Sequence, residues 1–308
     1  MAVTERPSFL RDVMTVGRAI RLGMCSPDMQ ARRLYELFPD SLLLERTSYL
    51  NMGYWQSPDD TLDDAGEALA ELLADQAGFR EGDRVLDAGF GYGDQDFLWL
   101  RRHGLAKVIG LNVTPRQVRV AQNKAREQGL ADRLDFREGS ATTMDFAPDS
   151  FDRVVALEAA FHFVSREQFF KQAYGVLRPG GVLATADVVP LDAHEAEKGR
   201  EAKKGLFTFA YPDENRYEGE EYMSRLRAAG FTNVRLTSIR DKVFEPWIAF
   251  VAKKMNDPDF RGSVSKLTYR LLGGVMSDKA RMREDVAGLD YVIVVAEKPE
   301  SVVAEKPE

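Results

Sequence analysis

Short apolar runs punctuate the middle of the chain at regular intervals, and polar, amphipathic stretches of helical length separate them. The runs at 84–88, 107–112, 133–137, 152–158 and 182–188 predict strands. The intervening periodicity predicts helices at 94–103, 115–128 and 165–177. Strands alternating with helices of these lengths imply a mostly parallel sheet covered by helices on both faces, an α/β fold. Upstream, residues 8–24 and 29–45 are amphipathic, with Pro27 and Pro39 as interruptions. Residues 61–77 form a stronger helix: Thr61 suits its cap, Asp63 and Asp64 favour its positive end, and Gly78 follows its last turn.

The rhythm changes beyond Pro190. Residues 192–222 are charged and show no strand, a helix at 219–229 ends on Gly230, and an apolar strand at 231–239 follows. Residues 243–285 read as helices before a last apolar strand at 289–296. The chain therefore divides into N-terminal helices (1–78), a core (79–190), helical cap insertions (191–217 and 242–286), the remaining core helix and strands (218–241 and 287–298) and a tail (299–308). The tail repeats itself, since Val294–Glu300 and Val302–Glu308 both read Val-Val-Ala-Glu-Lys-Pro-Glu, and its second copy is expected to be weakly held.

Composition narrows the function classes. With 308 residues, 44% hydrophobic and 30% charged, the chain has an ordinary soluble, globular balance. A net charge of −7 without a basic block argues against a nucleic-acid partner or an anionic membrane. One cysteine, Cys25, precludes an internal disulfide. No secretory signal or membrane-spanning run is visible, so a cytoplasmic location is expected. No His/Asp/Glu cluster is tight enough to suggest a metal, and a homodimer is one open assembly state.

The most informative stretch is Val85-Leu86-Asp87-Ala88-Gly89-Phe90-Gly91-Tyr92-Gly93-Asp94-Gln95. A strand runs into glycines at every second position, where backbone can approach a ligand closely. A dinucleotide fingerprint would place its third glycine at Asp94, and a phosphate-binding loop would need a lysine that is absent. A pyrophosphate would meet the carboxylates of Asp87 and Asp94, whereas a ligand bearing a cation fits them. Asp-x-Gly-x-Gly-x-Gly after a strand resembles the first motif of the class I S-adenosylmethionine-dependent methyltransferases. The resemblance covers about residues 45–190. It implies a Rossmann-like sheet whose last two strands form an antiparallel hairpin, with the seventh strand between the fifth and sixth. It also implies S-adenosyl-L-methionine as cofactor and S-adenosyl-L-homocysteine as product.

Carried onto this sequence, the resemblance marks Asp87, Gly89, Gly91, Gly93 and Gln95 as cofactor-binding. Asn112 stands at the second strand end, where the family commonly has an acid for the ribose hydroxyls, and Gln117 faces the same edge. Ser140 replaces the family's usual acid near the adenine, beside Ala141. Leu157 ends the fourth strand. Tyr54 and Trp55, in Asn51-Met52-Gly53-Tyr54-Trp55, resemble a segment of sugar- and macrolide-modifying methyltransferases that lies over the sulfonium. Ligands of open α/β sheets sit beyond the carboxyl ends of the strands. That rule brings His162 to the reacting methyl as a general base, held by Asp187 or Glu158. Phe161, Phe163, Phe207, Phe209, Tyr211 and Trp247 are the candidate lining of an apolar pocket for a small-molecule acceptor. The expected activity is O-methylation of a secondary-metabolite hydroxyl. C-methylation of a prenyl, alkene or aromatic carbon and a non-catalytic cofactor-binding partner are the alternatives.

Overall fold

The computed structural model describes residues 43–201, 211–263, 269, 273 and 276–300. The helix at 8–24, most of that at 29–45, Phe207, Phe209 and the second tail copy lie outside the described residues. Residues 43–45, the end of the second expected helix, form bends and extended chain.

Seven strands make one sheet: β1 (Arg84–Ala88), β2 (Lys107–Asn112), β3 (Leu134–Glu138), β4 (Phe151–Leu157), β5 (Leu177–Pro190), β6 (Thr232–Ser238) and β7 (Leu289–Glu297). Their order is β3-β2-β1-β4-β5-β7-β6, with β7 antiparallel to both neighbours. The remaining ladders are parallel. On one face pack α1 (Leu62–Ala77), α2 (Asp94–Arg102) and α3 (Pro115–Glu127). On the other lie α4 (Arg166–Val176) and, after the short α5 (Ala193–Glu201), α6 (Gly219–Ala228). The helices α7 (Phe244–Asn256), α8 (Pro258–Ser263) and α9 (Lys279–Val286) fill the interval before β7.

Strand geometry explains the two cores. Successive side chains point to opposite faces, so Val155 and Leu157 of β4 join the first core while Val154 and Ala156 join the second. The α1 signals act as their chemistry dictates. Thr61 and Asp64 form a capping box, and Gly78 closes the helix at φ 64°. Asp63, also in the first turn, accepts from the Glu45, Arg46 and Thr47 amides at 2.9, 3.2 and 2.8 Å. One buried carboxylate thereby gathers the chain that enters the extended segment 47–56. Among the described residues no helix is long and apolar enough to cross a membrane.

The second core contains a buried polar knot. Arg166, the first residue of α4, is fully buried, with Nε 3.0 Å from Asp187 Oδ2. Its Nη2 donates to Val188 O (2.6 Å) and Tyr211 Oη (3.0 Å), and its Nη1 to Asn215 O (2.6 Å). The rings of Tyr211, Tyr217 and Tyr222 surround the guanidinium with centroids at 5.2, 5.2 and 5.1 Å. Tyr222 also donates to Asp187 Oδ2 at 3.1 Å. Removing one member of such a pair leaves an uncompensated buried charge, at a cost of about 3–5 kcal/mol. Arg166→Met is therefore expected to lower the midpoint of thermal unfolding by roughly 10 °C, and a drop of only a degree or two in a thermal melt would refute that weight.

Candidate active site

β1 has parallel neighbours on both sides, β2 and β4, and the connections that leave them run to opposite faces. A crevice opens at their carboxyl ends. It holds about 830 Å³ of space, part of which is open solvent. Its walls come from the glycine loop, the ends of β2 and β4, the turn after β3, and the extended segment before α1.

The loop needs its glycines. Gly89 has φ 90°, and a Cβ there would stand 2.4 Å from the Ala159 Cβ, so only glycine lets the β1 and β4 ends approach. Gly93, at φ 81°, caps α2 and presses on the Phe136 ring.

Beneath the loop Asp87 is fully buried and does not line the cleft. Its Oδ2 accepts from Gln95 Nε2 at 2.9 Å, and the same nitrogen donates to Phe90 O at 2.9 Å. Asp87, expected to bind the cofactor, has Gln95 between it and the cleft. Asp96, fully buried beside it, leaves both carboxylate oxygens without a donor, as does Asp87 Oδ1. Burial raises the pKa of both carboxyls, and the charge of Asp87 raises that of Asp96 further. Asp94, by contrast, is neutralised by Lys124 at 2.7 Å.

Asn112 and Gln117 both line the cleft and bond each other, Asn112 Nδ2 donating to Gln117 Oε1 at 2.9 Å. Gln117 Nε2 is buried with no partner. Ser140, Ala141 and Leu157 also lie on the wall, and Ser140 Oγ accepts from the Thr142 amide at 3.3 Å. Among the described residues no Lys or Arg lines the cleft, and Glu158 is its one carboxylate. That lining opposes a polyphosphate and suits a ligand with amine, hydroxyl and heteroaromatic groups.

His162 ends a short 3₁₀ turn (Ala160–His162) after β4 and lines the cleft with Phe163 and Ala159. Its ring lies on that of Phe161, centroids 3.9 Å apart. Each carboxylate expected beside it has further partners of its own. Asp187 is not at the rim, because β5 continues to Pro190; it pairs in register with Val292 and turns to Arg166. Glu158 does line the cleft, but its Oε1 accepts from the Met52 amide and from Tyr291 Oη, both at 2.6 Å. Burial raises its pKa to about 7.

The aromatic expectations divide. Phe163 reaches the cleft, whereas Phe161, Tyr211 and Trp247 are buried in the hydrophobic core. Tyr54 and Trp55 also miss it. The Trp55 ring packs on Phe250 at 5.3 Å, and its indole donates to Met52 O at 2.9 Å. The wall that their segment contributes is Ser48, Leu50 and Asn51, which sequence reasoning passed over. For Ser48 and Leu50 alternation was the available signal: in extended chain Tyr49, Asn51, Gly53 and Trp55 share the buried face, and Asn51, which reaches the cleft from that face, carried none. Tyr92 and Thr114 were likewise missed, although each adjoins a recognised motif.

Comparison with known proteins agrees with this geometry. A family described as "Methyltransferase domain" matches residues 86–185. The erythromycin 3''-O-methyltransferase of Saccharopolyspora erythraea is 42% identical over 97% of this chain and 99% of its own length. The 27-O-demethylrifamycin SV methyltransferase of Amycolatopsis mediterranei is 29% identical over 86% of this chain and 96% of its own. Among solved structures, a cyclopropane synthase from Mycobacterium tuberculosis superposes with a TM-score of 0.67 at 20% identity, over 86% of this chain and 95% of that one. That likeness is one of fold.

The buried carboxyl pair carries a stability consequence. A carboxyl whose folded pKa lies above its unfolded value favours folding least when ionised, so stability falls as pH rises from about 4 through the folded pKa. Asp96→Asn removes one of the two acids. Its melting temperature relative to the parent should therefore be higher at pH 8 than at pH 5, by roughly 2–4 °C. Equal offsets at both pH values would mean that burial does not raise the pKa of the pair in the folded protein.

Proposed function

The chain belongs to the class I S-adenosylmethionine-dependent methyltransferases of natural-product O-methylation, and from that premise we propose that its acceptor is a hydroxyl on a macrolide or on a sugar that a macrolide carries. The observation behind this acceptor class is the 42% identity that runs through 97% of the chain, cap included, to the erythromycin-modifying relative. The rifamycin-modifying relative supports the same class of large, oxygen-rich acceptor.

The cleft fits the cofactor through atoms left without partners. In our reading, Gln95 has its Nε2 committed to Asp87 and Phe90, so its amide oxygen remains to accept from the amino-acid ammonium. Gln117 Nε2, buried and unpaired, meets a ribose hydroxyl together with Asn112. Ser140 and Ala141 flank the adenine, and Leu157 packs on it. The loop glycines Gly89, Gly91 and Gly93 let backbone close on the amino-acid moiety. When bound, S-adenosylmethionine supplies an electrophilic methyl on its sulfonium.

This chain's own groups then do two things. Apolar Ala159 and Phe163 exclude water from the strand-end wall and orient the acceptor, and orientation alone contributes several kcal/mol. His162, on the same wall, takes the acceptor hydroxyl proton through a ring nitrogen. Asp187 takes no part in that proton transfer, being held by Arg166.

His162→Ala should leave S-adenosylhomocysteine affinity within about twofold, measured by calorimetry, while kcat falls by about 10²-fold or more. Turnover equal to the parent's would sink the base assignment and favour methylation at carbon or catalysis by proximity. The acceptor is tested by incubating the enzyme and cofactor with macrolides that bear free sugar hydroxyls. The product should gain the mass of one methylene at oxygen, and a panel without any such product would overturn the acceptor class.

A further inference from the structure

The outer wall of the cleft is its least-supported part. Segment 48–52 has neither helix nor sheet bonds, and Leu50 at its middle is 36% exposed. It is tied at both ends. Upstream, the amides of residues 45–47 donate to Asp63. Downstream, Tyr54 N donates to Ala65 O (2.8 Å) and Trp55 N to Lys242 O (2.9 Å). Between those ties, the backbone amide of Met52 donates to Glu158 Oε1 at 2.6 Å.

Glu158 is itself held in an unusual state. It lies one residue past β4 at φ 48°, a left-handed conformation that a non-glycine residue keeps only when its surroundings impose it. Two contacts do so: its amide donates to Ala186 O at 2.8 Å, and Tyr291 Oη donates to its Oε1 at 2.6 Å. Tyr291 is fully buried in β7, 133 residues further along, where its ring lies edge-on to Phe244. One carboxylate oxygen thus joins the wall segment, the β4 end and the last strand.

We propose that Tyr291 is a positioning residue for methyl transfer: acting through Glu158, it latches segment 48–52 closed over the cofactor. The proposal rests on reading the cleft as the cofactor site. Closure places Ser48, Leu50 and Asn51 on the wall, with Leu50 Cδ1 3.3 Å from where a Cβ on Gly91 would stand.

The latch is strongest with Glu158 ionised, because two donors converge on one charged oxygen. Burial lifts its pKa to about 7, while the Tyr291 and Met52 bonds hold it down. The other groups facing it are Asp187 from β5, whose charge raises it and is itself compensated by Arg166 of α4, and His162 on the shared wall. The sign follows: the latch weakens as pH falls through about 7, and loss of the Tyr291 hydroxyl moves that weakening to higher pH.

The test uses the full-length enzyme with S-adenosylhomocysteine between pH 6 and 9. Product dissociation is followed by stopped-flow tryptophan fluorescence, to which Trp55 beside the latch contributes, and amide hydrogen exchange is followed across 48–52. In the parent, dissociation should slow as pH rises through neutrality. Tyr291→Phe should release product about 10-fold faster at pH 7, expose 48–52 to faster exchange, and shift the pH dependence upward. Glu158→Gln keeps an oxygen that both donors reach, so its dissociation should lose the pH dependence. Parental dissociation and exchange in Tyr291→Phe, or a persistent pH dependence in Glu158→Gln, would overturn the latch. If Tyr291→Phe unfolds, Met52→Pro deletes the donor on the other side, and the same two outcomes decide. Absence of product binding in the parent itself would instead overturn the cofactor-site reading.

Discussion

The rest of the structure depends on a topological constraint. β1 is flanked by β2 and β4, parallel strands whose connections run to opposite faces of the sheet. No single connection can cover the carboxyl end of β1, so a gap stays open there whatever side chains surround it. The gap is narrow because Gly89 and Ala159 are in contact distance of where any larger residue would stand. The sheet thus provides the cavity, and the glycine loop sets how closely its rim can approach a ligand.

The cavity carries little charge on its surface and considerable charge beneath it. Asp87, Asp96 and Asp187 are fully buried, and Glu158 nearly so. Each has a different solution to burial. Asp187 is neutralised by Arg166; Glu158 collects two donors; Asp87 and Asp96 are left as a pair short of donors under the loop. The last arrangement costs stability and sets two acids, their pKa values raised by burial, one side chain below the cleft. Gln95 covers them and presents a neutral amide to the cleft.

Much of this was legible in the sequence, and the gaps have physical causes. The strands were readable because each is a short apolar run, and the loop because glycines at alternate positions have few other uses. Asn112, Gln117 and Ser140 were placed by the family resemblance, and His162 by the strand-end rule, which depends only on where strands stop. Asp187 shows the limit of that rule. β5 runs on to Pro190, so an apparent rim residue is an interior one, and alternation turns it to the face of α4. Tyr54 and Trp55 were placed by resemblance of their segment, which is extended and sets Trp55 against Phe250 of α7 and away from the cleft wall. Tyr291 carried no local signal at all: it is one aromatic in an apolar strand, and its partner lies 133 residues away.

β7 is threaded between β5 and β6, so the strand that completes the sheet is made after both of its neighbours. During synthesis, β5 and β6 leave the ribosome with the edges that will face β7 still unpaired, and β5 keeps a buried Asp187 in need of its packed environment. The nascent chain therefore holds two adhesive edges and an unfinished ligand site until residue 297 is clear of the exit tunnel. For this fold, assembly of the sheet and the Tyr291 bond to Glu158 on the cleft wall are the same late event, and nascent chains stalled before that point expose the edges from which aggregation starts.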